Sequence, residues 1–396
     1  MPGNYLLKNV RPVAFPGHDG TATLDVQAAD GIITAAGAGL RPESGAAVTD
    51  FAGAFLSPAW VDMHTHVYWG GCDIGVLPRI IGIATGVPIL VDAGSAGEAI
   101  FHGFRELIIK SARERILPFL NVGSIGLVAT NRIPEIRALG DIDPGLVMKT
   151  VEENRGLIAG LKVRMLKNVD LAPDILPLKM GKKLSRVLKL PVMVHFGPGL
   201  PLVEEVLDLL EPGDILSHCF RGNPASGISD DECASAAARR ALERGVALDI
   251  GHGAGSFSYR VGRKCVDLGI LPTTIGSDLH DWDINGPVWD LSIVMAKMLA
   301  IGLSFARTVD GVTAAPRRLL RLEEAKLQPG ARADFTLFTV EDADLELPDS
   351  YNEFARITRR FMPKAVLWEG ELSEASSRYG EKTANARQVE WKKSVF

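Results

Sequence analysis

Eight short apolar runs, each ending at or beside a glycine, histidine, aspartate or other polar residue, punctuate the chain from residue 55 to residue 278. They are FLSPAWVDMHTH (55–66), PILVDAG (88–94), ILPFLNVG (116–123), IAGLKVRM (158–165), LPVMVHFG (190–197), GDILSHCF (213–220), GVALDIGHG (245–253) and LPTTIGSD (271–278). Longer segments of helical character separate them, which is the pattern of repeated βα units. From His66 onward the run ends recur at roughly 20 to 45 residues, room for one strand, one crossover helix and two loops. Eight such units close a parallel barrel. The rival, an open doubly wound sheet, is disfavoured because no Gly-rich dinucleotide turn follows the first run and the polar residues spread over many strand ends. The expectation is an α/β fold, a (β/α)8 TIM barrel over residues 55–326.

The remaining sequence lies at the two ends. Residues 1–54 read as short strands broken by Gly and Pro, with a turn signal at Asp30-Gly31. PGARADFTLFTVED (329–342) and PKAVLWEGE (363–371) alternate apolar and polar positions. Residues 1–54 and 327–396 are therefore expected to build one small discontinuous β-sandwich beside the barrel. WDLSIVMAKMLAIGLSFARTVDGV (289–312) is apolar at helical spacing and reads as an outer barrel helix. At 396 residues and 46% hydrophobic content there is enough apolar material for a large core. A net charge of −5 and no basic run argue against nucleic acid as a partner. Cys72, Cys219, Cys233 and Cys265 lack CxxC spacing, and neither a leader pattern nor an apolar span of membrane length is visible. A cytoplasmic protein acting on a small molecule, off the membrane, is expected, with a homo-oligomer left open.

His64 and His66 sit two apart on the first strand, so both imidazoles share one face at the barrel mouth. His195, His218 and Asp278 end strands five, six and eight at the same rim, where barrel enzymes gather reactive groups. Imidazole nitrogens plus a carboxylate suit zinc or a similar divalent ion. Lys162 shares a strand face with Arg164, opposite Leu161, Val163 and Met165. An unpaired ammonium inside a barrel is costly and cannot ligate a cation. Two readings stand side by side: a carbamate formed with carbon dioxide and bridging two metals, or a lysine paired with Asp92 or a neighbouring carboxylate.

The stretches HTHVYWGG, GLKVRM, MVHFG, LSHCF, LDIGHGAGSF and IGSD, in this order on these strands, resemble the amidohydrolase superfamily, and within it the dihydroorotase-like deacetylase branch. The resemblance spans nearly the whole chain, including PGARADFTLF. It implies that His64, His66 and Asp278 hold the more buried of two divalent ions, zinc being the expected species, and His195 and His218 the more exposed one. Carboxylated Lys162 would bridge them. A hydroxide shared by ions some ~3.5–4 Å apart would attack an amide or ester carbonyl, with Asp278 as catalytic proton shuttle. The implied activity is deacylation of a small N- or O-acylated amino acid or hydroxy acid; the alternative is a dihydroorotase- or hydantoinase-like cyclic amidase using the same site.

Candidate substrate contacts are less constrained. Dihydroorotases of this family carry an arginine two residues past the second histidine, where this chain has Tyr68. Gly70 and Gly71 could present backbone N–H groups to an anion, or simply make a turn. Arg164 could hold a substrate carboxylate or form an internal salt bridge. His252, at the end of strand seven, could contact substrate or serve structure alone. Asp92 and Asn121 read as partners that orient the histidines. His18, His102 and His280 read as solvated or core residues, His280 lying near enough to Asp278 to line the mouth. Pro198 occupies a position where an acidic residue is frequent in the branch.

Overall fold

The computed structural model describes residues 3–130, 132–165, 175–224 and 226–380. Strands β1 (Asn4–Phe15), β2 (His18–Asp19), β3 (Leu24–Ala29), β4 (Ile32–Gly37), β5 (Ala47–Asp50) and β6 (Phe55–Pro58) precede the barrel. Barrel strands are β7 (Val61–Thr65), β8 (Ile89–Asp92), β9 (Arg115–Asn121), β10 (Gly160–Met165), β11 (Val192–Phe196), β12 (Ile215–Ser217) and β13 (Ala247–Asp249). Strands β14 (Phe335–Pro348), β15 (Phe354–Trp368) and β16 (Glu371–Glu374) follow.

The barrel strands pair in sequence order, every neighbour parallel. The eighth run closes the ring through single bridges, Asp249 with Thr274 on one side and Thr65 with Leu279 on the other. It does not form a regular strand, and Asp278 at its end adopts φ 53°, outside the β region. Backbone bonds still sew it in: Thr273 N donates to Leu248 O at 2.7 Å, and His66 N to Leu279 O at 3.0 Å. Asp62, fully buried, accepts from Ser277 N at 2.8 Å and ties this segment to β7.

Alternation along the strands sets two layers inside the barrel. Phe119, Met193, Ile215 and Ala247 belong to one apolar cluster. Two residues later on the same strands stand Asn121, His195, Ser217 and Asp249, on the same face by the period-two rule. The intervening Leu120, Val194, Leu216 and Leu248 join the larger cluster formed with the outer helices. A greasy floor thus lies under a polar mouth, as barrel layering requires.

The run 55–66 divides. Phe55–Pro58 joins the terminal sheet, parallel to β1 and antiparallel to β14, whereas Val61–Thr65 opens the barrel. Pro58 has no N–H for a further ladder bond, and the chain crosses between sheets just after it. The terminal strands form one mixed nine-stranded sheet, separate from the barrel, with order β16-β15-β14-β6-β1-β3-β4, and β2 and β5 paired to β1. Helix Leu291–Ala300 is buried from Leu291 to Met298. One side packs Ile293 and Ala296 against Leu347 and Ile357 of the long β14–β15 hairpin, which explains why its sequence is apolar all round. Among the described residues no helix is long and apolar enough to cross a membrane.

Phe338 joins the two sheets: its ring lies 5.3 Å from Phe55, 5.2 Å from Trp60 and 5.8 Å from Phe361. Phe338→Ala is expected to cost about 3–5 kcal/mol, as for other fully buried aromatic truncations. The check is the shift in the denaturant midpoint; a variant unfolding with the wild type would mean that this junction contributes little.

Candidate metal centre

The first-strand histidines converge on one carboxylate oxygen. His64 Nε2 lies 3.2 Å and His66 Nε2 3.3 Å from Asp278 Oδ1. His64, His218 and Asp278 each offer a ligand atom, all within 4.8 Å of one another. Across the mouth, His218 Nε2 faces His195 Nδ1 at 2.7 Å. The structure therefore brings His64, His66, His195, His218 and Asp278 together at one rim. His218 and Asp278 both sit at positive φ, 65° and 53°, a backbone state that non-glycine residues enter at a cost. Gly253 makes room for Asp278, since a Cβ there would stand 2.2 Å from its Oδ2.

The outward ring nitrogens are each held. His64 Nδ1 is 2.7 Å from Ser217 Oγ, whose hydroxyl donates to Asp249 Oδ2 at 2.9 Å. His66 Nδ1 is 2.9 Å from Ser95 Oγ, which donates to Asp92 Oδ2 at 2.8 Å. His218 Nδ1 is 2.7 Å from the Gly251 carbonyl, so it carries the proton and leaves the Nε2 lone pair free. Asp92 thus acts on His66 through a serine, whereas Asn121 spans Gly94 O and Gly123 N. Ser95, Ser217 and Asp249 escape a reading of sequence, because serine and aspartate at strand ends look like turn residues. Their signal is the interior phase: Ser217 follows Ile215, and Asp249 follows Ala247, by two.

Burial sets the charges. It pushes the His64 pKa down to about 4, with Lys162 adding to the effect. His195 and His218 are likewise held well below the ordinary imidazole value, chiefly by burial. Burial opposes ionisation of Asp278, yet His64, His66 and His218 hold its carboxyl well below the usual range. Neutral imidazoles around an ionised carboxylate are a donor set that fits a divalent first-row ion. Lys162 is 1% exposed, and burial brings its amine down to about 7. Its Nζ lies 3.5 Å from His64 Nε2 and 3.3 Å from Met193 Sδ. Among the described residues no carboxylate comes within ion-pair reach of it. Gly94, at φ 90°, lets the β8 loop pass against the lysine stem, where a Cβ would stand 2.5 Å away.

No family model matches the chain. Over 377 residues it is 46% identical to a deacetylase of Agrobacterium fabrum, covering 94% of this chain and 92% of the relative. A deacetylase of Brucella anthropi is 44% identical over 373 residues, covering 94% and 93%. A solved structure described as a dihydroorotase superposes with TM-score 0.90 at 43% identity, covering 95% of this chain and 98% of its own. The chain belongs to the deacetylase-like branch of the amidohydrolase superfamily. It is a metal-dependent hydrolase of that type.

In this amidohydrolase the other candidate residues are placed as follows. Tyr68 stacks on Phe104 at 4.7 Å and its hydroxyl donates to Ile100 O. Gly70 is exposed at φ 80°, and the Gly71 amide donates back to Tyr68 O at 3.2 Å. Arg164 faces buried Glu135 at 3.5 Å. Both ring nitrogens of His252 are taken, Nδ1 by Gly253 O and Nε2 by the Lys297 ammonium, each at 2.9 Å. His280 is buried beside Asp283 at 3.2 Å, while His102 is exposed on the helix Phe101–Leu107 and His18 is half-buried in β2. Arg221, 4% exposed, carries no strand signal because it lies in the loop three residues past His218; only the fold reveals it at the mouth. Removing a group that orients a metal-binding histidine typically costs about 10–100-fold in metal affinity. Ser217→Ala and Asp249→Asn should each lose metal to a chelator at roughly 10–100-fold lower concentration than the wild type. Equal retention would detach both residues from the site.

Proposed function

We propose that this amidohydrolase removes an acetyl or similar acyl group from a small N- or O-acylated amino acid or hydroxy acid. His64, His66 and Asp278 would hold the more buried of two divalent ions, His195 and His218 the other, with Lys162 as a carbamate between them. The observation that carries the reading is the convergence of buried imidazole nitrogens on ionised Asp278, in a chain whose relatives are named deacetylases. Nitrogen and oxygen donors of this kind suit zinc. The buried Lys162 amine supports the carbamate: near pH 7 a large share is neutral, and its nitrogen can bond the carbon of carbon dioxide while releasing one proton to solvent. The product is an anion, which removes the uncompensated cation.

When bound, the ions supply Lewis acidity that activates water and polarises the scissile carbonyl. Asp278 takes the proton of the attacking water on its carboxylate and passes it to the leaving amine or alkoxide. Ser217 with Asp249 and Ser95 with Asp92 keep the His64 and His66 rings turned inward. The net charge of −5 and the free cysteines, three of them buried, support a cytoplasmic enzyme for small molecules. Cyclic amide hydrolysis is the second reading, favoured by the solved structure described as a dihydroorotase. Against it, Tyr68 offers no cation at the position where dihydroorotases place one, and its ring is packed on Phe104.

Turnover of acyclic acetyl amides and esters of amino and hydroxy acids, measured beside dihydroorotate and hydantoins, separates the two. Hydrolysis confined to the cyclic substrates would reverse the assignment. Asp278→Asn should lower kcat by at least the ~10²–10⁴-fold that proton transfer contributes. For the lysine, protein reconstituted with ¹³C-bicarbonate should show a carbamate carbon resonance that Lys162→Ala lacks and that grows as the pH rises through about 7. The sign follows from the depressed amine: deprotonation on raising the pH increases the reactive neutral form. No such resonance at alkaline pH would rule the bridge out.

A further inference from the structure

The loop after β12 carries a guanidinium that the metal-site reading does not use. Arg221 is buried between the ends of β11, β12 and β13. Its Nε donates to Phe196 O at 3.0 Å, Nη2 to Ser256 Oγ at 2.8 Å, and Nη1 reaches Gly255 O at 3.3 Å and Asn223 Oδ1 at 3.4 Å. All these acceptors are neutral. They fix the plane of the fork without cancelling its charge, and among the described residues no carboxylate lies within ion-pair distance. Arg164 differs, because Glu135 already answers it. A buried cation without a counter-charge is expensive to keep.

The remaining direction of the fork points at a metal-site histidine: Nη2 is 3.5 Å from His195 Nε2. The same ring turns Nδ1 to His218 Nε2 at 2.7 Å. With the Nδ1 lone pair reserved for an ion, a neutral ring bears its proton on Nε2. Two donors, an imidazole N–H and a guanidinium N–H, then face each other with no acceptor between them. An oxyanion satisfies both and supplies the missing charge.

We propose that Arg221, together with the Nε2–H edge of His195, binds the carboxylate of the substrate and makes the enzyme selective for acylated acids over their neutral derivatives. This rests on the reading that the mouth hydrolyses acyl groups on small acids, and it names the residue that recognises the acid. The tip of the β14–β15 hairpin braces the fork from outside. The Tyr351 hydroxyl donates to Asn223 Oδ1 at 2.8 Å and accepts from Gly222 N at 3.0 Å, holding the loop in which Arg221 sits.

The test uses the metal-loaded full chain and two probes of similar shape, benzoate and benzamide, followed by calorimetry, alongside kcat/KM for N-acetyl amino acids and their primary amides. Wild type should bind benzoate more tightly than benzamide and favour the free acids as substrates. In Arg221→Gln both preferences should fall by roughly 30-fold or more, the effect of removing one partner from a buried charged hydrogen bond. Arg221→Lys should recover only part of them, since an ammonium cannot reproduce the fork. A Gln variant that keeps the preference overturns the proposal. If that variant does not fold, a Lys variant equal to wild type in benzoate preference overturns it too. Arg221-dependent benzoate binding without hydrolysis of any acyl acid would sustain this site while removing the deacylase reading, so the two failures are distinguishable.

Discussion

Asp278 is an ionised carboxylate almost removed from water, and the arrangement of the barrel mouth depends on compensating it. Its oxygen is met by two imidazole nitrogens at 3.2 and 3.3 Å, with a third ring 3.9 Å from the other oxygen. In a low-dielectric interior such a charge is tolerated only with partners fixed in place. Two of those rings, His64 and His218, are themselves kept neutral by burial, so they do not fully cancel it. The result is a set of lone pairs and one negative charge directed at a common point, which a cation completes. Apolar residues two positions earlier on the strands supply the dry floor that keeps water from doing the same job more cheaply.

Holding that geometry needs more than the ligands. Serine relays fix two rings, and a backbone carbonyl fixes a third, so the tautomers are set by hydrogen bonds on the far side from the metal site. The left-handed backbone at His218 and Asp278 turns their side chains into the mouth at an energetic cost that the surrounding ladder bonds offset. Closure of the ring by an irregular eighth segment belongs to the same compromise: a regular strand would have carried Asp278 along the ladder rather than across it. Asp62, bonded to Ser277, keeps the closure tight where the ladder is broken.

Much of this was legible in sequence for a definite reason. Parallel barrels repeat a strand and a helix, and the period-two face rule alone puts His64 and His66 together and separates Lys162 from Leu161 and Val163. Chain-distant residues at strand ends then share a rim by topology. What escaped has an equally definite cause. The split of the run 55–66 depends on a sheet partner, β14, that lies more than two hundred residues away. Ser217 and Asp249 have side chains common in turns, so only their interior phase distinguishes them. Helix Leu291–Ala300 could be read as a helix, but its second buried face required knowledge of the β14–β15 hairpin. Arg221 sits outside any strand, where periodicity says nothing.

The C-terminal hairpin ties the terminal sheet to the wall of the site. Its tip residues reach the barrel mouth, where Ser350 Oγ donates to Gly253 O at 2.8 Å and the Ser350 amide donates to Phe257 O at 3.0 Å. Lys297, fully buried, joins this brace from behind by donating to Pro348 O at 2.7 Å, Pro287 O at 2.8 Å and His252 Nε2 at 2.9 Å. An ammonium has three donors, and all three are used, so the His252 ring is anchored as part of the wall. Gly253, next in sequence, is the residue whose missing side chain leaves room for Asp278. The hairpin is thus linked through Ser350 to the loop carrying His252 and Gly253, which packs on the Asp278 carboxylate. The appended sheet thus contributes hydrogen bonds to the wall of the site as well as its own core.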